Sequence, residues 1–269
     1  MIPIRDDNPT MRRPWVTLVF LVLNIGVYFL LQPHNGKSVV SLPEPMSSVE
    51  VDPASSFRFL YAYAAIPCEI KRQRPLNVGE VVATAEQGDA TACDVTFPDA
   101  IADDPLFPGK QPFLSVLVSM FLHGGILHLA GNMLFLWIFG NNIEDRFGRF
   151  LFLGFYLLGG VAATLAHVVV EPMSTIPVVG ASGAIAAVMG AYLVLYPNAK
   201  ITTVFTFFLL MVQRISAKWL LGFWFISQFF IASGSGIAWV AHVGGFVFGA
   251  AVGLIVRAIT PRPATPSWS

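Results

Sequence analysis

The chain has 269 residues, 55% of them apolar and only 12% charged. That balance excludes an ordinary soluble domain, where about a quarter of the residues carry charge. Sixteen basic and 16 acidic residues leave no net charge, and nucleic acid is not an expected partner.

In chain order, residues 1–14 read as a short polar arm on the cytoplasmic side. Apolar runs, each long enough to cross a hydrocarbon core of roughly 30 Å, then predict six spans, at 15–31, 127–143, 150–170, 182–197, 217–232 and 239–258. The fold class expected is an all-α, polytopic membrane protein with a long outer loop between its first two helices. The first run is too long for a signal peptide, and "FLLQPHNGKS" offers no small-x-small cleavage site, so it reads as an anchor. With the N-terminus inside, Arg5, Arg12, Arg13, Arg146, Arg149, Lys200, Arg214, Lys218, Arg257 and Arg262 all fall on the cytoplasmic side. Most acids fall in the loop 32–112, so both termini are expected inside a bacterial inner (plasma) membrane.

The extracytoplasmic loop 32–112 contains a moderately amphipathic piece, "SSFRFLYAYAAI", and "EVVATAEQGDATACDV" is its expected flexible part. Cys68 and Cys93 both lie in it; on an oxidising side they can form a disulfide, and the alternative is two free thiols. The following region, 113–260, carries the remaining apolar runs. It opens with "QPFLSVLVSMFLHGG", too short to cross and read as an interfacial or re-entrant element. "ITTVFTFFLLMVQRIS" reads as a cytoplasmic re-entrant piece or the lower part of span five. Glu144, at the cytoplasmic end of span two, is expected to brace a loop. Residues 261–269 form a polar cytoplasmic tail.

Polar side chains inside apolar spans are costly, and each is a candidate for function. Spans two, four and six descend from the same face and carry such residues in their first turns: His128 and Asn132, Ser182, and His242. Gly245, Gly249 and Gly253 recur every four residues, with His242 on the same face. Ser182, Ala186 and Gly190 form a small-residue face on span four, and two such faces pack closely in a bilayer. Packing them brings Ser182 towards His242, a base that can make it a nucleophile. His128 and Asn132, four residues apart, share a face and can donate hydrogen bonds to an oxygen gaining negative charge. No Asp or Glu is placed near His242, which predicts a Ser–His dyad rather than a triad. Each residue alone has a packing explanation; four at one depth share a chemical one. His123 and His167 raise the possibility of zinc with His128 and His242. H-E-x-x-H is absent, so neither metal nor cofactor is expected.

The segments "IPIRDDNPT", "SMFLHGGILHLAGNMLFLWIFGNNIEDRFG", "GASGAIAAVMGAYLVLYP" and "AWVAHVGGFVFG" together resemble the rhomboid intramembrane serine protease family. The resemblance implies a six-helix rhomboid bundle with residues 113–260 as its catalytic core. Within it Ser182 is the nucleophile, His242 the general base and later acid, and His128 and Asn132 the oxyanion donors, joined by the Ser182 amide. Gly180 and Gly183 match the glycines flanking the nucleophile, and Gly245 and Gly249 the close-packing positions of the last helix. Many members carry an aromatic residue four positions after the nucleophile, where this chain has Ala186. Either the histidine is held less firmly, or another ring such as Phe246 or Trp239 packs on it. The expected activity is hydrolysis of peptide bonds in or beside transmembrane helices of other proteins, with membrane lipid as surroundings. The alternative is an inactive scaffold that binds and sorts such helices.

Overall fold

A computed structural model describes residues 2–34, 40–41, 50–51, 56–94, 103–205, 211–230 and 238–260. In chain order the elements begin with β1 (Ile2–Asp6) and α1 (Trp15–Gly26), which runs on as a π-helical turn over Val27–Leu31. Two short strands, β2 (Val40–Ser41) and β3 (Glu50–Val51), pair antiparallel. Four small helices follow: α2 (Ser56–Tyr63), α3 (Pro67–Arg72), α4 (Val78–Gln87) and α5 (Pro112–Ser119). The rest is α6 (Ile126–Phe147), α7 (Arg149–Val170), α8 (Ser182–Leu195), β4 (Lys200–Phe205), β5 (Met211–Ser216), α9 (Ala217–Gln228) and α10 (Trp239–Ile259). Among the described residues α6, α7 and α10 are long and apolar enough to cross a membrane, and Trp15–Leu31 and α8 are shorter apolar helices. The predicted fifth span reaches past residue 230, outside the described residues, as does the tail 261–269.

The centre of the bundle is α8, buried on every face from Gly183 through Tyr192. A helix with no polar face belongs inside other helices, and here the neighbours are α6, α7 and α10. Glycine sets how close they come. A Cβ on Gly190 would lie 2.1 Å from the Phe246 carbonyl oxygen, and one on Gly249 1.8 Å from that of Ala187. A Cβ on Gly245 would sit 2.2 Å from the Gly183 carbonyl oxygen. The backbones of α8 and α10 are therefore in direct contact, as small-residue faces allow. On the α7 side, Gly159 abuts Ala187 and Gly183 abuts Ala163.

The end of the bundle opposite Ser182 departs from the all-α expectation. The arm 1–14 contributes a strand, and "ITTVFTFFLLMVQRIS" supplies two more, giving an antiparallel sheet of order β1-β4-β5. The physical reason is an alternating, β-branched pattern: Ile201 and Thr203 are fully buried while their neighbours are not. The hairpin leads directly into α9. Asp6 ties this sheet to the helices, accepting from Tyr192 Oη at 2.6 Å and from Asn142 Nδ2 at 2.6 Å. Burial raises the Asp6 pKa, opposed by the Tyr192 hydrogen bond. Glu144 does more than brace a loop. Its carboxylate accepts from the amides of Val16 at 2.9 Å and Thr17 at 2.8 Å, and from the Thr17 hydroxyl. It thus satisfies orphan donors at the start of α1 with an anion on the favourable end of the helix dipole.

The stretch expected to be flexible is instead folded where described. Asn77 and Glu80 form a reciprocal capping box at the start of α4. Glu80, fully buried, also accepts both Arg74 terminal nitrogens, at 2.8 and 2.6 Å, and the Asp94 amide at 2.8 Å. Cys68 and Cys93 are joined in a disulfide, with their Cα atoms 5.8 Å apart. Lys110 and Glu69, each 2% exposed, form a buried pair at 2.6 Å. This unit grips the segment leading to Ser182. The Val178 amide donates to the Ala65 carbonyl at 2.8 Å, Thr175 to Ala90 at 2.9 Å, and Cys68 to Ser174 at 3.0 Å.

Gly249→Ala should force α8 and α10 apart and cost about 1–3 kcal/mol. Gly154→Ala, where a Cβ meets nothing within 4 Å, should be neutral; unfolding in detergent compares the two. Alkylation should add no label to the unreduced protein and two labels after reduction. Replacing both cysteines by serine should cost about 3 kcal/mol for a 25-residue separation.

Candidate functional site

Gly180 is where the chain turns into α8. Its φ of +117° lies in the region only glycine enters easily, and its amide donates to the Ser119 carbonyl at 2.9 Å. The turn places Ser182 as the first residue of α8, in the turn whose amides lack intrahelical acceptors. From α10, His242 brings its Nε2 to 2.8 Å from Ser182 Oγ. These two residues are 60 apart in sequence, and the glycine contact between their helices brings them together.

Across the opening, α6 supplies His128 and Asn132. The Gly124 amide donates to His128 Nδ1 at 3.3 Å. In the neutral ring the proton is then on Nε2, and that nitrogen borders Gly180: a Cβ added there would lie 2.8 Å from it and 3.5 Å from Asn132 Nδ2. Asn132 is 7% exposed, and its Nδ2 is buried without a hydrogen-bond partner. Two donors therefore point at a space kept open by a glycine. Together with Ser182, Trp224 and His242 they line a cavity of about 480 Å³.

Two contacts were not foreseen. The Trp224 ring lies 5.8 Å from the His242 ring, in the role expected of Phe246 or Trp239. Phe246 instead packs behind Trp224 at 6.0 Å, and Trp239 against Phe229 at 6.0 Å. The second is Gln228, at the end of α9, whose Oε1 lies 2.8 Å from His242 Nδ1. Gln228 is not a carboxylate, and the sequence places no Asp or Glu near His242. A glutamine in the last turn of an otherwise apolar helix was the available signal.

The two other candidate histidines have neighbours of their own. The His123 ring is 5.2 Å from that of His128, and His167 on α7 faces Glu171 at 3.9 Å. Among the described residues the one cluster of three potential metal ligands is Cys68, Glu80 and Cys93, whose two sulfurs are bonded to each other.

Residues 110–259 match the model of the Rhomboid domain. The chain is 36% identical over 94 residues to presenilin-associated rhomboid-like protein A, mitochondrial, of Danio rerio, covering 34% of this chain and 24% of that protein. It is 30% identical over 149 residues to rhomboid protein 1, mitochondrial, of Saccharomyces cerevisiae, covering 52% and 41%. Rhomboid protease GluP of Bacillus subtilis is 42% identical over 78 residues, covering 29% of this chain and 15% of that protein. The chain thus spans less than half the length of these relatives. The matched domain covers more than half of the chain and contains all four clustered polar residues and both glycine-packed helices: the protein belongs to the Rhomboid family of integral membrane proteins.

Proposed function

We propose that the chain is an intramembrane serine endopeptidase that cleaves peptide bonds in or next to transmembrane helices of other proteins. The observation that carries this reading is the 2.8 Å contact of Ser182 Oγ with His242 Nε2, set opposite the unpartnered Asn132 donor. In this reading His242 Nε2 takes the hydroxyl proton as Ser182 Oγ adds to the scissile carbonyl carbon. The oxygen gains the charge and is held by Asn132 Nδ2–H, His128 Nε2–H and the Ser182 amide. The proton on His242 then passes to the departing amine, leaving an ester on Ser182. Water, deprotonated by His242, adds to that ester; its collapse frees the new carboxyl terminus and returns the proton to Ser182.

We read α1, α6, α7, α8, α9 and α10 as six spans, with both termini on the cytoplasmic side of a bacterial inner membrane and the cavity opening outward. The Lys/Arg bias supports this orientation. So does the disulfide, which suits an oxidising side. The names of the yeast and zebrafish relatives place those proteins in mitochondria. In this reading the substrates are transmembrane proteins and no cofactor takes part.

In proteoliposomes containing a transmembrane-helix substrate, Ser182→Ala and His242→Ala should abolish cleavage. Asn132→Ala should lower kcat on the order of 100-fold with little change in KM. A fluorophosphonate should attach at Ser182. Folded wild-type protein that neither cleaves several substrates nor takes the probe would favour the helix-binding scaffold. Gly180→Ala should remove cleavage and also lower stability in the same unfolding assay, because its Cβ would fill the space beside His128 and Asn132 and its φ of +117° disfavours any side chain.

A further inference from the structure

We propose, building on the protease reading, that Gln228 is the positioning residue of His242, a neutral third member that fixes which ring nitrogen faces the serine. The assignment follows from a chain of donors and acceptors. The Trp224 carbonyl oxygen can only accept, and Gln228 Nε2 lies 3.0 Å from it. The same nitrogen lies 3.4 Å from Ser227 Oγ, whose hydroxyl donates to the Trp224 carbonyl at 2.6 Å. The amide nitrogen is thus turned back onto its own helix, and Oε1 is the atom presented to His242 Nδ1 at 2.8 Å. A carboxamide oxygen cannot donate, so Nδ1 carries the proton. Nε2 then has its lone pair directed at Ser182 Oγ, 2.8 Å away, the form a general base requires.

Gln228 is 4% exposed, so water does not compete for the contact. Trp224, one turn earlier on α9, lies against the same ring, with the ring centres 5.8 Å apart and the planes tilted by 40°. Both constraints on His242 therefore come from α9, whereas the nucleophile is on α8 and the base on α10, and the base is oriented only while α9 is docked. The titratable groups nearest His242 are His128 on α6 and His167 on α7; α8 and α9 face it with Ser182, Trp224 and Gln228. Among the described residues no carboxylate is hydrogen-bonded to it. The orienting group is uncharged, so it sets direction without adding an anion beside the imidazolium that forms during reaction.

Gln228→Met keeps length and apolar volume but removes the acceptor. It should lower kcat on the order of 10- to 100-fold with KM unchanged within about twofold. Gln228→Glu restores an oxygen at the same reach and should recover most of kcat. As an anion it should also raise the apparent pKa of the acid limb of the kcat profile by about one unit or more. If Gln228→Met does not fold, the pH profile of Gln228→Glu remains the test. Wild-type kcat in Gln228→Met, or an unmoved acid limb in an active Gln228→Glu, would overturn the proposal. Nitrogen-15 spectra of histidine-labelled protein separate this proposal from the protease reading. His242 should show a protonated Nδ1 and a bare Nε2 in the wild type, and a mixture of tautomers in Gln228→Met. A wild-type His242 protonated at Nε2, or a spectrum unchanged by Gln228→Met, would overturn it. Absence of cleavage and of probe attachment in the wild type counts against the protease reading alone, and the spectrum still decides the tautomer.

Discussion

The direct contact between the backbones of α8 and α10 is the constraint on which the rest of this molecule depends. Gly190 lies under the Phe246 carbonyl, Gly249 under that of Ala187, and Gly245 under that of Gly183. Even an alanine Cβ at these positions would lie 1.8–2.2 Å from a carbonyl oxygen, so the helices would have to part by roughly 1 Å or more. In a bilayer, apolar side chains gain little by leaving lipid for protein, so close packing of small residues contributes much of what holds helices together. The same contact sets the spacing of the two side chains that project from the ends of these faces. The 2.8 Å between Ser182 and His242 is thus a by-product of glycine packing along the whole helix pair.

Around that pair, several polar groups tie elements together: Glu144 accepts three hydrogen bonds at the start of α1, and Asp6 accepts from Tyr192, Asn142 and the Asn8 amide. Asn132 Nδ2 is buried with no partner, although an orphaned buried donor costs roughly 1–3 kcal/mol. Asn132 borders the cavity, where something else can supply the acceptor. In the protease reading proposed above, that acceptor is the developing oxyanion.

Two accessory units hold the site from opposite ends. At one end the disulfide-linked unit around α3 and α4 pairs with residues 174–178, just before the Gly180 turn that presents Ser182. At the other, the sheet of β1, β4 and β5 feeds α9, the helix that carries Trp224 and Gln228 to the imidazole. Rigid placement of the Ser182–His242 pair depends on the groups that support it, and here these come from segments far from the pair in sequence.

The apolar helices, the identity of the four clustered polar residues and the glycine faces were all legible from the sequence, because each is written locally: hydrophobic runs, and periods of four along a helix. The cysteines could be named but their bond could not, since pairing is a matter of distance. The strand at residues 2–6 and the hairpin after Leu195 were hidden, because short apolar β-branched runs do not declare their partner. Folding of the stretch around Glu80 depended on a buried carboxylate meeting Arg74 and the Asp94 amide, which composition alone reads as loop. By itself, then, the sequence determined which polar residues lie at one depth and which helices can touch. Only the tertiary structure decided that Trp224, not Phe246 or Trp239, lies against His242, and that Gln228 fills the place left without an acid. Both decisions rest on how α9 docks against α10, and contact between separate helices leaves no periodic trace in either one.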